Sequence, residues 1–155
     1  MAFEEDGMIG GDAKTYYNTG THAIPVWVEI TRIKDAKTNI NKKMVELPAR
    51  EGKGIGSRGS KITPELSFSY LYKKGTDTVF DALMDSLGNN TPIEFYAADD
   101  DVATSGTEGL RCVMEVSSIP MNQGLEDGVY LDIETKYARV TESDVLIEWD
   151  WHVIP

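Results

Sequence analysis

The chain has 155 residues, a net charge of −11 and a single cysteine, Cys112, which excludes an intrachain disulfide scaffold and argues against binding nucleic acid by neutralising phosphates. That length builds one domain, residues 1–155, with a hydrophobic core that needs no metal or disulfide to hold it. The opening residues Phe3, Glu4, Glu5 and Asp6 lack the charge and apolar run of a secretory leader, and no stretch approaches the roughly 18 apolar residues of a membrane helix, so the expectation is a soluble chain made in a reducing cytoplasm with no membrane partner.

Residues 1 to 23 are rich in Gly, Thr, Asn and charge and have no apolar period, so they read as an extended arm anchored only by Tyr16 and Tyr17. From residue 24 the core begins and runs to 153. Ile24, Val26, Val28 and Ile30 alternate with Pro25, Trp27, Glu29 and Thr31, which predicts a strand over 23–34 with one buried face. Residues 36–63 are polar and glycine-rich, with Lys42, Lys43, Arg50, Lys53, Arg58 and Lys61, and read as a long loop or a hairpin in which 44–47 forms an arm. A connection of that length in a small domain is usually functional. Strict alternation of Leu66, Phe68, Tyr70 and Tyr72 predicts the next strand, over 65–73.

One helix follows. Thr76 is a fitting N-cap, Val79, Phe80, Leu83, Met84 and Leu87 recur at helical spacing, and Gly88 closes the element, giving a helix over about 76–87. Period-two patterns then predict strands over 92–98, 110–119, 129–137 and 144–153, the last with Val145, Ile147, Trp149 and Trp151 on its buried side. Antiparallel strands with a lone helix give a mainly-β sandwich or barrel with the helix on an end or flank.

The residues offer little for chemistry. Gly54, Gly56 and Gly59 spell the dinucleotide fingerprint, but that use needs a helix opening directly afterwards, and here Thr63, Pro64 and a strand follow. His22 and His152 have no metal-ligand spacing, the Asp99, Asp100, Asp101 run lacks the order of a calcium loop, and Cys112 lies on the apolar phase of its strand as a small hydrophobe. Glu148 and Asp150 read as solvent-facing carboxylates. No catalytic set, cofactor or metal is therefore expected. Trp27 falls opposite Val26 and Val28, so it points outward, as an interface anchor, under the arm, or as a ligand platform. Charge is uneven: residues 1–75 hold 12 Lys/Arg and 9 Asp/Glu, residues 76–155 hold 3 and 17. That split fits either ordinary surface variation or a subunit whose basic loops meet acidic surfaces of a neighbour.

The order of elements resembles the major tail tube proteins of long-tailed, siphovirus-like bacteriophages, within the wider tail-tube and type VI secretion tube superfamily. The resemblance is carried by Tyr16-Tyr17-Asn18-Thr19-Gly20, by Trp27-Val28-Glu29-Ile30 closing at Asp35, by the Gly/Lys-rich segment, by the strand from Leu66 to Tyr72 feeding a short helix, and by Ile119-Pro120-Met121 ahead of Gly124 and Gly128-Val129. It implies a structural, non-enzymatic subunit that forms stacked rings, typically of six, as a homo-oligomeric tube. DNA would pass through as cargo without specific binding. Tape measure, tail terminator and distal tail proteins would be the further partners, and the virion the destination after synthesis in the host cytoplasm. Under that reading Tyr16, Tyr17, Trp27, Lys42, Lys43, Arg50, Lys53, Arg58 and Lys61 are the expected contacts between subunits and rings. The alternatives are the tube of a contractile tail or injection system and, from another class, a carbohydrate-binding or adhesin-like β-module using Trp27 and the Asp99–Asp101 turn.

Overall fold

The computed structural model describes residues 13–48, 52–123 and 128–155. Within them the chain forms β1 (Lys14–Asn18), β2 (Trp27–Glu29), β3 (Ile33–Leu47), β4 (Gly56–Leu71), helix α1 (Thr78–Asn89), β5 (Ile93–Ala98), β6 (Glu108–Ser118), β7 (Met121–Asn122), β8 (Tyr130–Tyr137), β9 (Val140–Glu142), β10 (Val145–Ile147) and β11 (Asp150–Val153). Nine strands join one antiparallel sheet in the order β2-β1-β5-β6-β8-β4-β3, with β11 added beside β6 and β7 beside β8, while β9 and β10 pair separately.

The two ends of that order are joined by consecutive residues. Ile30 donates its N–H to the Thr15 carbonyl at 2.9 Å, and two residues later the Arg32 carbonyl accepts from Leu71 at 2.8 Å. One short stretch of chain thus leaves β1 and enters the ladder with β4, which rolls the sheet around its core in the manner of a barrel. The interior is filled by the alternate side chains that the period-two patterns marked: Leu66, Phe68 and Tyr70 of β4, Leu131 and Ile133 of β8, Leu110, Cys112, Met114 and Val116 of β6, and Phe95 of β5. Phe68 and Phe95 meet edge to face at 6.0 Å between centroids. Each such buried side chain contributes about 1.5–3 kcal/mol.

Helix α1 covers this core with Leu83 and is tied to β6 by Ser86, whose hydroxyl accepts from the Val116 N–H at 3.0 Å. Its cap is Asp77, not Thr76. Asp77 has extended backbone, its carboxylate accepts from the Phe80 N–H, and the buried Tyr70 hydroxyl donates to the same carboxylate at 2.7–2.8 Å. A carboxylate serves the positive helix end better than a hydroxyl and here gains a second donor. Nor does Gly88 close the helix, which runs through it to Asn90 in the left-handed region at φ 57°, a conformation asparagine tolerates.

Three further expectations need correction. The arm expected over 1–23 does not hold for Lys14–Asn18, because β1 lies inside the sheet between β2 and β5; residues 1–12 lie outside the described residues. The strand over 23–34 shrinks to β2. The Asn18 side chain accepts from the backbone of Gly20 and Val26, both at 2.8 Å, so it takes the place of a ladder and curls residues 19–26 into a turn. Ile24 is left 76% exposed as a result. Finally, the run 144–153 is broken: Ser143 and Asp144 both have positive φ and make the tight turn of the β9–β10 hairpin, after which β11 joins β6. Trp149 still packs on the core, whereas Trp151 is 57% exposed.

Candidate assembly surface

The described parts of residues 36–63, open in sequence between loop and hairpin, are the outer arms of a long hairpin. β3 and β4 stay in register from Ile33 opposite Tyr70 out to Leu47 opposite Gly56. β8 accompanies β4 only over Ser67–Leu71. Beyond that point the pair projects as a two-stranded ribbon, and the ten residues of β3 from Thr38 to Leu47 reach about 33 Å at 3.3 Å per residue. Two irregularities steer it. One lies between Lys34 and Lys37, where Asp35 has φ 52°, and the other between Lys42 and Met44. Such bulges bend a ribbon and raise its twist.

Among the described residues neither long edge of this ribbon has a neighbouring strand. Its surface joins charge to apolar area. Lys42, Lys43, Lys53, Arg58 and Lys61 are all exposed, and none forms an ion pair with another described residue. Lys42 lies along β4 over Gly59, where a Cβ would collide with its side chain. Ile40, Met44, Val45, Leu47 and Ile62 are exposed beside them, and Ile55 at the tip is 70% exposed. Apolar side chains gathered on an open ribbon mark a surface made for burial against a partner. Arg50 lies outside the described residues.

Tyr16, Tyr17 and Trp27 are placed differently from expectation. Tyr17 belongs to the main core and Tyr16 to a second cluster on the other face of the sheet with Tyr96 and Ala98. Both are satisfied inside the subunit. Trp27 packs against that second cluster, partly buried, with its ring 5.3 Å from Tyr96 and the Arg111 guanidinium 5.2 Å from it. Strands β1, β5 and the first half of β6 are consequently buried on both faces.

Behind Trp27 lies the one group of buried charges among the described residues, which the sequence did not signal. Arg111 donates to Glu94 at 2.9 Å and to the His22 carbonyl at 2.6 Å. Glu94 also accepts from Asn18 at 2.9 Å and meets His22 Nδ1 at 2.5 Å. Glu142 in turn accepts from the backbone N–H groups of His22 and Ala23. The network pins the 19–26 turn onto β5, β6 and β9, and its members are a positioning device for that turn. Asp101 is occupied in a different way: it accepts from the Ala103 N–H and pairs with Lys14 at 3.2 Å, and the Ala103 N–H, then Lys14, lower its pKa. Cys112 is buried, and desolvation pushes its thiol up to about 12, far from a reactive thiolate. The described residues hold no grouping of His, Cys, Asp and Glu suited to a metal, and no helix is long and apolar enough to cross a membrane.

A cleft of about 570 Å³ sits at the base of the ribbon between β1, β3, β5 and β6, with Ala97, Ala98, Gly109 and Trp151 among its lining. A second, of about 300 Å³, lies beside the His22 turn.

No family model matches the chain, and no curated protein matches it in sequence. Solved structures do match in shape. A chain of the SPP1 tail tube superposes with a TM-score of 0.71 at 14% identity, covering 95% of this chain and 80% of that one. A chain from the tail of an empty gene transfer agent particle, refined with C6 symmetry, gives 0.68 at 12% identity over 95% and 100%. A chain of the anti-feeding prophage baseplate gives 0.54 at 8% identity over 99% of both. The mainly-β barrel with one flanking helix and a projecting ribbon is therefore the phage tail-tube fold.

Proposed function

We propose that this chain is a structural subunit that assembles with copies of itself into rings, six to a ring, which stack into the DNA-conducting tube of a long, non-contractile phage tail. The observation that carries this reading is the ribbon: a folded subunit that extends two strand edges unpaired among the described residues, five exposed Lys and Arg side chains and a set of exposed apolar side chains has a surface suited to completion by another chain. Tail-tube shape in the compared chains supports it, and the higher TM-score to the SPP1 tail tube than to the anti-feeding prophage baseplate favours the non-contractile case. The charge of −11 suits a conduit, since an acidic bore repels passing DNA. On this reading the subunit performs no catalysis, resides in the virion, and meets the tape measure, terminator and distal tail proteins at the bore and ends of the tube.

The carbohydrate-binding alternative loses its support, because Trp27 is stacked on Tyr96 under Arg111 and Asp101 is bound to Lys14. Negative-stain microscopy of concentrated protein tests the proposal. Rings or tubes about 100 Å wide, the width of several domains around a pore, are expected; particles that stay single at every concentration would overturn it.

A further inference from the structure

The ribbon has a tip that wants a partner, and its base carries a cleft that could receive one. The cleft is lined by Ala36, Ala97, Ala98, Gly109 and Trp151 among others. At Gly109 the backbone of Ala97 fills the place a side chain would take, so main chain closes the cleft there, and its volume of about 570 Å³ lies within the usual range for a binding site. Its rim carries Asp35, Asp99 and Glu108, with exposed Asp100 adjoining. Two lysines also line it, but Lys14 is paired with Asp101 and Lys34 lies 4.0 Å over the Tyr130 ring. With Asp35, Asp99 and Glu108 set against the one lysine that has no carboxylate partner, the lining is acidic on balance.

The ribbon tip offers the complement: Met44, Leu47 and Ile55 as apolar side chains, Lys53 and Arg58 as cations, all exposed. It cannot reach its own cleft. The β3–β4 ladder is continuous from the base at Ile33 to Leu47 opposite Gly56, so the tip is held about 30 Å or more from the base.

We propose that the ribbon tip of one subunit seats in the cleft at the ribbon base of the next, with Ile55 and its neighbours over Ala97, Ala98 and Gly109 and with Lys53 and Arg58 against Glu108 and Asp99. Donor and acceptor are different patches of one chain, so the contact is head-to-tail and repeats from copy to copy, closing a ring or extending a stack according to the rotation it imposes. This rests on the tube reading and names the surface that the ribbon meets.

The test uses the full chain. Wild-type assembly is first followed by sedimentation and microscopy. Glu108→Lys, and separately Lys53→Glu with Arg58→Glu, should each raise the concentration needed for assembly by about tenfold or more, since like charges then face one another. Combining all three substitutions in one chain should restore assembly, an outcome that a misfolded variant cannot give. Independently, Ile55→Cys with Trp151→Cys in one chain should produce a covalent ladder of multimers with a short bis-maleimide, and neither single variant should do so. The buried Cys112 gives little background. Wild-type tubes accompanied by unaffected charge variants and no ladder would overturn the docking site and leave the tube reading standing, the cleft then serving some other occupant. A wild-type protein that never assembles would remove both.

Discussion

Removing the Glu94 carboxylate is expected to be the most damaging single polar change in the subunit. Its side chain is 7% exposed and that of its partner Arg111 9%. In Glu94→Ala the guanidinium keeps the His22 carbonyl at 2.6 Å and the Trp27 ring, but loses its only counter-ion among the described residues, where its Nε already has no partner. Asn18 and His22 lose an acceptor as well, though both are partly exposed and water can replace it. Breaking a buried ion pair by deleting one side costs about 3–5 kcal/mol, a large share of the 5–15 kcal/mol typical of a domain. Urea unfolding followed by tryptophan fluorescence reads this directly, because Trp27 lies under Arg111. The midpoint should fall with the slope unchanged. Replacing both partners, Glu94→Leu with Arg111→Leu, should recover most of the loss, since the penalty comes from an uncompensated buried charge rather than from absence of the pair. A loss below about 1 kcal/mol in the single variant, typical of a surface pair, or a double variant no better than the single, would refute this account.

Shortening the ribbon separates folding from assembly. Lys42 and Ile62 already face each other, so replacing residues 43–61 by Asn-Gly closes a two-residue hairpin; thermal unfolding should move by no more than a few degrees while polymerisation disappears, and loss of the β-sheet circular dichroism signal would contradict this. Stability should also fall at alkaline pH. Tyr96 is fully buried and its hydroxyl bonds to the Thr107 and His152 carbonyls; desolvation, with Asp99, Glu108 and Asp150 adding, raises its pKa to about 12. An unfolded tyrosine releases its proton near pH 10, so the Tyr96 contribution is complete below about pH 10 and is lost as pH rises towards 12. Tyr96→Phe should flatten the fall of the urea midpoint over that window, and an unchanged slope would count against it. Cys112 should resist alkylation at pH 8 in the folded subunit and react promptly once urea unfolds it; fast labelling of the native protein would show that the core opens more readily than its packing implies.

Elements with one face on the core were legible in the sequence. The alternation of Leu66, Phe68 and Tyr70, of Leu131 and Ile133, and of Leu110, Cys112 and Met114 exists because every second side chain enters the same interior, and the helical spacing through Leu83 exists for the same reason. The hairpin strands were far less legible. From Thr38 to Leu47 both faces of β3 are exposed, so no period is imposed, and lysine, asparagine and glycine leave the impression of a loop. Strand β1 fails in the opposite way: Thr15, Tyr16 and Tyr17 are all buried, and two-sided burial erases alternation as thoroughly as full exposure does. Of the expected contact residues, the five described cations do gather on one ribbon. The aromatic three do not, because Tyr16, Tyr17 and Trp27 are consumed by packing within the subunit.

By itself the sequence determined the class of fold and the helix that flanks it, both of which follow from local patterns and composition. Only the tertiary structure decided that Glu94, Arg111 and His22 meet, that the run 144–153 breaks to send β11 beside β6, and that a small-residue cleft opens at the foot of the ribbon. Those features depend on which strands become neighbours across long stretches of chain. Periodicity reports whether a residue faces a core; it carries no information about which residue faces it there.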